Sequence, residues 1–95
     1  MLTGKQRRHL RALAHSLRPI VQIGKDGIND AVIAAIDRGL EDHELVKVKV
    51  GEKRLERASA AREVATQTAS EVAQILGNIL LLYRARKHEP AITLP

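Results

Sequence analysis

Two groups of residues in this 95-residue chain have types and spacings that could do chemistry. The first is Gly24-Lys25-Asp26-Gly27, which follows the apolar run Ile20-Val21-Gln22-Ile23 and precedes a helix-like pattern. Glycines three apart permit a tight turn whose backbone N–H groups face outward. The first amides of the next helix have no internal partner and favour an anion, so phosphate is the natural occupant. The second group is Lys5, Arg7, Arg8, Arg11 and Arg18, with no acid among residues 1–18. At about 100° per residue, Arg8, Arg11, His15 and Arg18 project from one side of a helix, flanked by Lys5 and Arg7. An ordinary exposed face mixes signs to gain i,i+4 pairs, whereas a ridge without acids suits phosphates.

Catalytic chemistry finds less support. GKDG lacks the remainder of a P-loop, G-x-x-x-x-G-K-[ST]. His9 and His15 are six apart, the wrong spacing for a helical metal pair. His43 beside Glu44 at a strand start reads as a local hydrogen-bonding residue rather than a base. Ser16, Ser59 and Ser70 have no plausible activating triad. With no cysteine, a disulfide framework and a thiolate metal site are excluded, and a reducing compartment fits. No enzyme activity, metal, cofactor or small-molecule substrate is therefore expected.

The bulk composition points to a polyanionic partner. Net charge is +5 and the sequence pI about 10.1. The charge is unevenly placed: residues 19–45 set Lys25 and Arg38 against Asp26, Asp30, Asp37, Glu41, Asp42 and Glu44. A basic first segment beside an acidic second one predicts a polarised surface. The single aromatic, Tyr83, argues against reading bases by stacking, so recognition is expected to rest on phosphates and shape. No apolar run, Ile79 to Tyr83 included, is long enough to span a bilayer, and no apolar h-region follows the basic start. A cytoplasmic monomer is expected.

Positioning these groups falls to a regular set of elements. Thr3 and Gln6 fit a capping box, and Leu10, Leu13, Ala14 and Leu17 lie on one apolar face of a first helix that Pro19 stops. Ile20 to Ile23 reads as a short buried strand. Asn29 caps a second helix with Ile28, Val32, Ile33, Ile36 and Leu40 toward the core. Ala31, Ala34 and Ala35 are expected to allow close approach to a sheet, and Gly39 to mark a tight contact or fraying. Asp37, Glu41 and Asp42 lie outward, making this the acidic side. Leu45 to Val50 alternates strictly, valines on one face and lysines on the other. Residues 51–57, GEKRLER, read as a mobile polar loop before a third helix, Arg57 to Thr68. Gly77-Asn78 fits a two-residue hairpin turn between Val72–Leu76 and Ile79–Arg84. The expected class is α/β: a single two-layer domain, α-β-α-β-α-β-β, with a mixed four-stranded sheet. It covers residues 1–88, followed by a tail, 89–95, of uncertain order.

The order of blocks LRALAHSLRPIVQIGKDGIND, LEDHELVKVKV and QILGNILLLYRARK resembles the CRM domain in its free-standing bacterial, YhbY-like form, from Gln6 to about Lys87. The resemblance implies a fold like the C-terminal domain of translation initiation factor three. It also implies RNA binding and association with precursors of the large ribosomal subunit. Carried over residue by residue, the family's RNA-contacting loop falls on Gly24, Lys25, Asp26 and Gly27, and basic residues of the first helix complete the RNA face. Asp26 departs from a phosphate-facing pattern, and its side chain is expected to turn away, toward capping the second helix, or to loosen the clamp. Lys47, Lys49, Arg84 and Arg86 are possible extensions of the face. The competing class is a protein–protein adaptor, with the basic ridge meeting an acidic partner and the 45–50 or hairpin edge recruiting a strand.

Overall fold

The capping box at Thr3 forms in both directions, Gln6 N–H donating to Thr3 Oγ1 at 3.1 Å and Thr3 N–H to Gln6 Oε1 at 3.0 Å. It opens α1 (Gly4–Ala14) in the computed structural model, which describes residues 1–95. The chain continues through β1 (Pro19–Ile23), α2 (Asp30–His43), β2 (Leu45–Val50), α3 (Arg57–Thr68), β3 (Glu71–Leu76) and β4 (Ile79–Tyr83). No helix is long and apolar enough to cross a membrane.

α1 ends at Ala14, earlier than Pro19 requires. A turn closed by Leu17 N–H on the Ala14 carbonyl sends the chain back to the sheet, where the Leu17 carbonyl accepts from Lys47 Nζ at 3.1 Å. His15 is thus the cap, Arg18 has left the helix, and Leu13 is 43% exposed instead of packing with Leu10 and Ala14.

The sheet order is β1-β2-β4-β3, with β1 parallel to β2 and β4 antiparallel to both its neighbours. β2 and β3 run parallel, as two crossovers demand, but the hairpin lays β4 between them. The Gly77-Asn78 turn sits where its sequence put it, between Leu76 and Ile79. Gly77 has φ +57, the left-handed conformation such hairpins need. Two expectations change with this order. β1 is an edge strand, so Ile20 and Gln22 are exposed and only Ile23 is fully buried. β2 is paired on both sides and offers no edge to a partner strand.

Alternation along the strands builds two cores, one on each face. Val46, Val48, Leu80 and Leu82 face α2 and α3, meeting Ile36, Leu40 and Val64. Leu45, Leu81 and Tyr83 face the other way, meeting Leu10 and Ala14 of α1. The two layers expected from the sequence therefore become three, because α1 covers the face that α2 and α3 leave bare. Gly39 does mark a close contact: a Cβ there would collide with the Ile20 side chain and lie 3.2 Å from Val46 Cγ1. Ala31, Ala34 and Ala35 sit on the solvent side of α2, so Gly39 alone provides the close approach.

The last residues, set apart as a tail in the sequence, dock on the α1 face. Ile92 and Leu94 pack on the second core, and Gln6 Nε2 donates to the Pro95 carbonyl at 3.2 Å. Their anchor is Glu44, the left-handed cap of α2 (φ 65), whose side chain is fully buried. Its carboxylate accepts from the Arg86, Ala91 and Ile92 amides at 2.7, 2.6 and 2.8 Å. Burial raises its pKa, but these three amides and the nearby Arg86 charge outweigh it, so the net position is below the ordinary glutamate value.

Candidate nucleic-acid interface

Parallel pairing of β1 with β2 brings two loops to one end of the sheet. Ile23 pairs with Val50, and Gly51 N–H donates to the Ile23 carbonyl at 2.9 Å, so residues 24–27 and 51–56 leave the sheet side by side. The hairpin arrives at the same end, with Val50 N–H on the Asn78 carbonyl at 2.7 Å. Three connections thus share one rim, beyond the strand ends where open α/β sheets commonly place ligands.

Within residues 24–27 the two glycines have different reasons. Gly27 has φ +70, and its amide donates to the Gly24 carbonyl at 3.0 Å, closing the turn. That amide is therefore not free to meet a phosphate, contrary to the expectation that the N–H groups of the turn face outward. Gly24 has an ordinary φ and open space where a Cβ would stand. It is not needed for the turn, so what it provides is bare access to the main chain. Asn29 caps α2 through Val32 N–H at 2.9 Å, so the cap does not need Asp26. Lys25 and Asp26 both stand exposed at the tip.

The 51–57 loop adds cations that the sequence reading left aside. Lys49, Lys53, Arg54 and Arg57 line a polar cleft of about 600 Å³ with Gln22, Gly51 and Asn78. The acids of the loop are occupied within it. Glu52 accepts from Arg54 Nε at 3.2 Å, and this contact lowers its pKa. Glu56 caps α3 through Ala58 and Ser59 N–H at 2.7 and 3.0 Å, which lowers its pKa likewise. Lys53 and Arg57 keep their charges unpaired by either acid. Their signal in the sequence was the GEKRLER run, whose place beside GKDG depends on the β1–β2 pairing.

On the α1 face, Lys5, Arg7, Arg8 and Arg11 are exposed and enter none of the protein's ion pairs. Arg11 and Lys47 line one groove, and Lys49, two residues along β2 on the same face, lines the cleft at the rim, so cations lie on this face from α1 to the rim. Arg18, exposed in the connection to β1, flanks the track but is not part of the helical ridge.

Arg84 and Arg86 lie at the opposite end. Arg84 Nη1 donates to Asp37 Oδ1 at 2.6 Å and to the Thr68 carbonyl at 2.7 Å, and Nη2 lies 3.5 Å from Glu41 Oε2. Arg86 holds the Asp42 and Glu89 carbonyls at 3.4 and 3.0 Å, while its Nε is buried without a partner. Lys47 is half-buried and tied to Leu17. Of the thirteen residues singled out from the sequence, the fold leaves Lys25, Asp26, Lys49, Arg18 and the α1 cations exposed, sets the 24–27 loop and Lys49 at the same end of the sheet, and turns Arg84 and Arg86 to the acidic end of α2.

Comparison with known proteins bears on the family and the fold. The model of the CRS1 / YhbY (CRM) domain matches residues 2–84. The "Probable RNA-binding protein YqeI" of Bacillus subtilis is 43% identical over the whole of both chains. A Haemophilus influenzae protein named "RNA-binding protein" is 39% identical over 99% of this chain and 95% of its own. The solution structure of SAV1595 from Staphylococcus aureus, 45% identical with full coverage of both chains, superposes with a TM-score of 0.85. A family model spanning nearly the whole chain, with full-length relatives and a matching fold, places this protein in the CRS1/YhbY (CRM) domain family.

Proposed function

We propose that this protein binds structured RNA without catalysis, and that its target is ribosomal RNA of the large-subunit precursor, on which it acts as a cytoplasmic assembly factor. The observation that carries the RNA reading is the rim, where Lys49, Lys53 and Arg57 line one cleft without ion-pair partners, at the sheet end from which the half-buried Gly24 and the exposed Lys25 also leave. Phosphates would meet Arg8, Arg11 and Lys25, with Lys5, Arg7 and Arg18 adding to the field around them. Arg84 and Arg86 drop out of the interface, since their guanidinium groups already hold acids and carbonyls. The family resemblance supplies the large-subunit target, and relatives named for RNA binding support the ligand class.

Crosslinking in cells, followed by sequencing of the attached RNA, tests both levels. Enrichment of large-subunit precursor RNA is expected. Enrichment of other RNA would keep the ligand class and remove the ribosomal target. A protein partner that stays bound after RNA digestion, with no RNA enriched, would favour the adaptor reading.

A further inference from the structure

α1 covers only part of its face of the sheet. Near the hairpin, a groove of about 340 Å³ remains open between the last turn of α1 and the ends of β3 and β4. Its apolar surface comes from Ala14, Leu76, Ile79 and Leu81. Leu76, at the hairpin end of the edge strand β3 and opposite Ile79, is 66% exposed. Arg11, His15, Lys47 and Gln74 complete the lining, and no acid is among them. One Lys47 N–H is held by the Leu17 carbonyl, which fixes the ammonium and leaves its other donors available.

We propose that this groove receives one unpaired nucleobase of the bound RNA. The inference rests on the RNA reading above and deepens it, from phosphate contact alone to a preference for RNA with a splayed-out nucleotide. The base lies with its apolar faces against Leu76 and Ile79. The Gln74 amide, a donor and an acceptor, reaches its edge. Arg11 and Lys47 meet the flanking phosphates, and the planar guanidinium also offers a stacking surface. Charge chooses among occupants: a lining with cations and no acids fits a nucleotide, which is apolar on its faces and anionic at its phosphate. The volume lies at the low end of the range for small-ligand sites, about 300–1,000 Å³. Aliphatic side chains take the place of the aromatic platform that the chain lacks.

The test uses the full chain and two labelled RNA hairpins, one with a single-nucleotide bulge and one fully paired. The native protein is expected to bind the bulged hairpin about ten-fold more tightly, toward the lower end of the gain from a base stacked on an aromatic side chain, since the groove offers aliphatic surface instead. Leu76→Ser and Gln74→Ala should each reduce that preference and leave affinity for the paired hairpin unchanged. Leu76 is exposed enough for its variant to fold, which circular dichroism would verify. A 4-thiouridine at the bulge should crosslink to a peptide containing Gln74–Leu81 or Arg11–His15. Equal affinity for the two hairpins, with binding still weakened by Arg8→Gln plus Arg11→Gln, would overturn the groove and spare the RNA reading. A bulge preference unchanged in both groove variants would also overturn it. Failure to bind either hairpin would overturn the RNA reading itself, and capture of an acidic peptide in the groove would replace the base by a protein ligand.

Discussion

At the Leu45–Tyr83 end of the sheet, Arg84 holds Asp37 and the Thr68 carbonyl, and the amide of Arg86 closes onto the buried Glu44. At the Val50–Ile79 end, Lys25, Lys49 and Lys53 enter none of the protein's ion pairs. The first end joins α2, α3 and the C-terminal residues, so its charges serve the fold. The second is made of connections in which Glu52 and Glu56 are held within their own loop and Asp26 alone stands exposed, so its cations remain available to a partner. Counting cations along the chain does not separate these two uses. What separates them is whether the tertiary structure brings acids and free carbonyls within reach.

The contrast breaks most severely at Glu44. Glu44→Ala removes the acceptor for three amides and leaves Arg86 beside an empty site, and should cost about 3–5 kcal/mol. Thermal unfolding should show this as a Tm lower by more than about 10 °C. Any protein that remains folded should bind RNA with unchanged salt dependence. The carboxylate also gives this end a pH signature. Its pKa is lowered in the fold, so its stabilisation is complete above the unfolded glutamate value, about 4.3, and is lost as pH falls through the lower folded value. Acid titration followed by NMR should show the Ala91 and Ile92 amides losing their hydrogen bonds in that window. Their persistence below it would remove Glu44 as the anchor.

Arg84→Met comes next, at about 2 kcal/mol, because Asp37 can turn to water but the Thr68 carbonyl cannot readily do so. Chemical denaturation would report the loss. A reduced slope of log affinity against log salt in this variant would mean that Arg84 also contacts RNA, and the two ends would then differ less than described.

The reverse pattern is expected on the other side. Arg8→Gln with Arg11→Gln should leave stability within about 0.5 kcal/mol and lower the salt slope by about 0.7–0.9 for each lost contact. An unchanged slope would take α1 out of the interface. The smallest and sharpest test separates the two glycines. Gly27→Ala should destabilise by about 1 kcal/mol through its positive φ. Gly24→Val should be neutral to folding and weaken RNA binding by blocking access. If Gly24→Val binds normally, the bare main chain at residue 24 has no role.

Local chemistry was legible along the chain wherever a residue acts on its near neighbours. The Thr3–Gln6 box, the Asn29 cap, the third helix from Arg57 to Thr68 and the Gly77-Asn78 turn all stand where their sequence put them. Alternation in 45–50 separated its two faces correctly, because side-chain direction in a strand is fixed by a period of two. The candidate site was legible only in part: GKDG and the α1 cations could be seen, but not the place of Lys53 and Arg57 at the same end of the sheet as GKDG.

Relations between distant segments needed the fold. Pairing of Ile23 with Val50 sets the two loops on one rim, and insertion of β4 beside β2 turns Arg84 toward Asp37, 47 positions away. Glu44 reads as a surface acid until the chain returns 42 to 48 residues later with three amides to surround it. Sequence by itself determined the elements, their order and the sign of their charge. Tertiary structure decided which of those charges are neutralised, since electrostatic and hydrogen-bond energies depend on separation in space, and separation along the chain does not determine it.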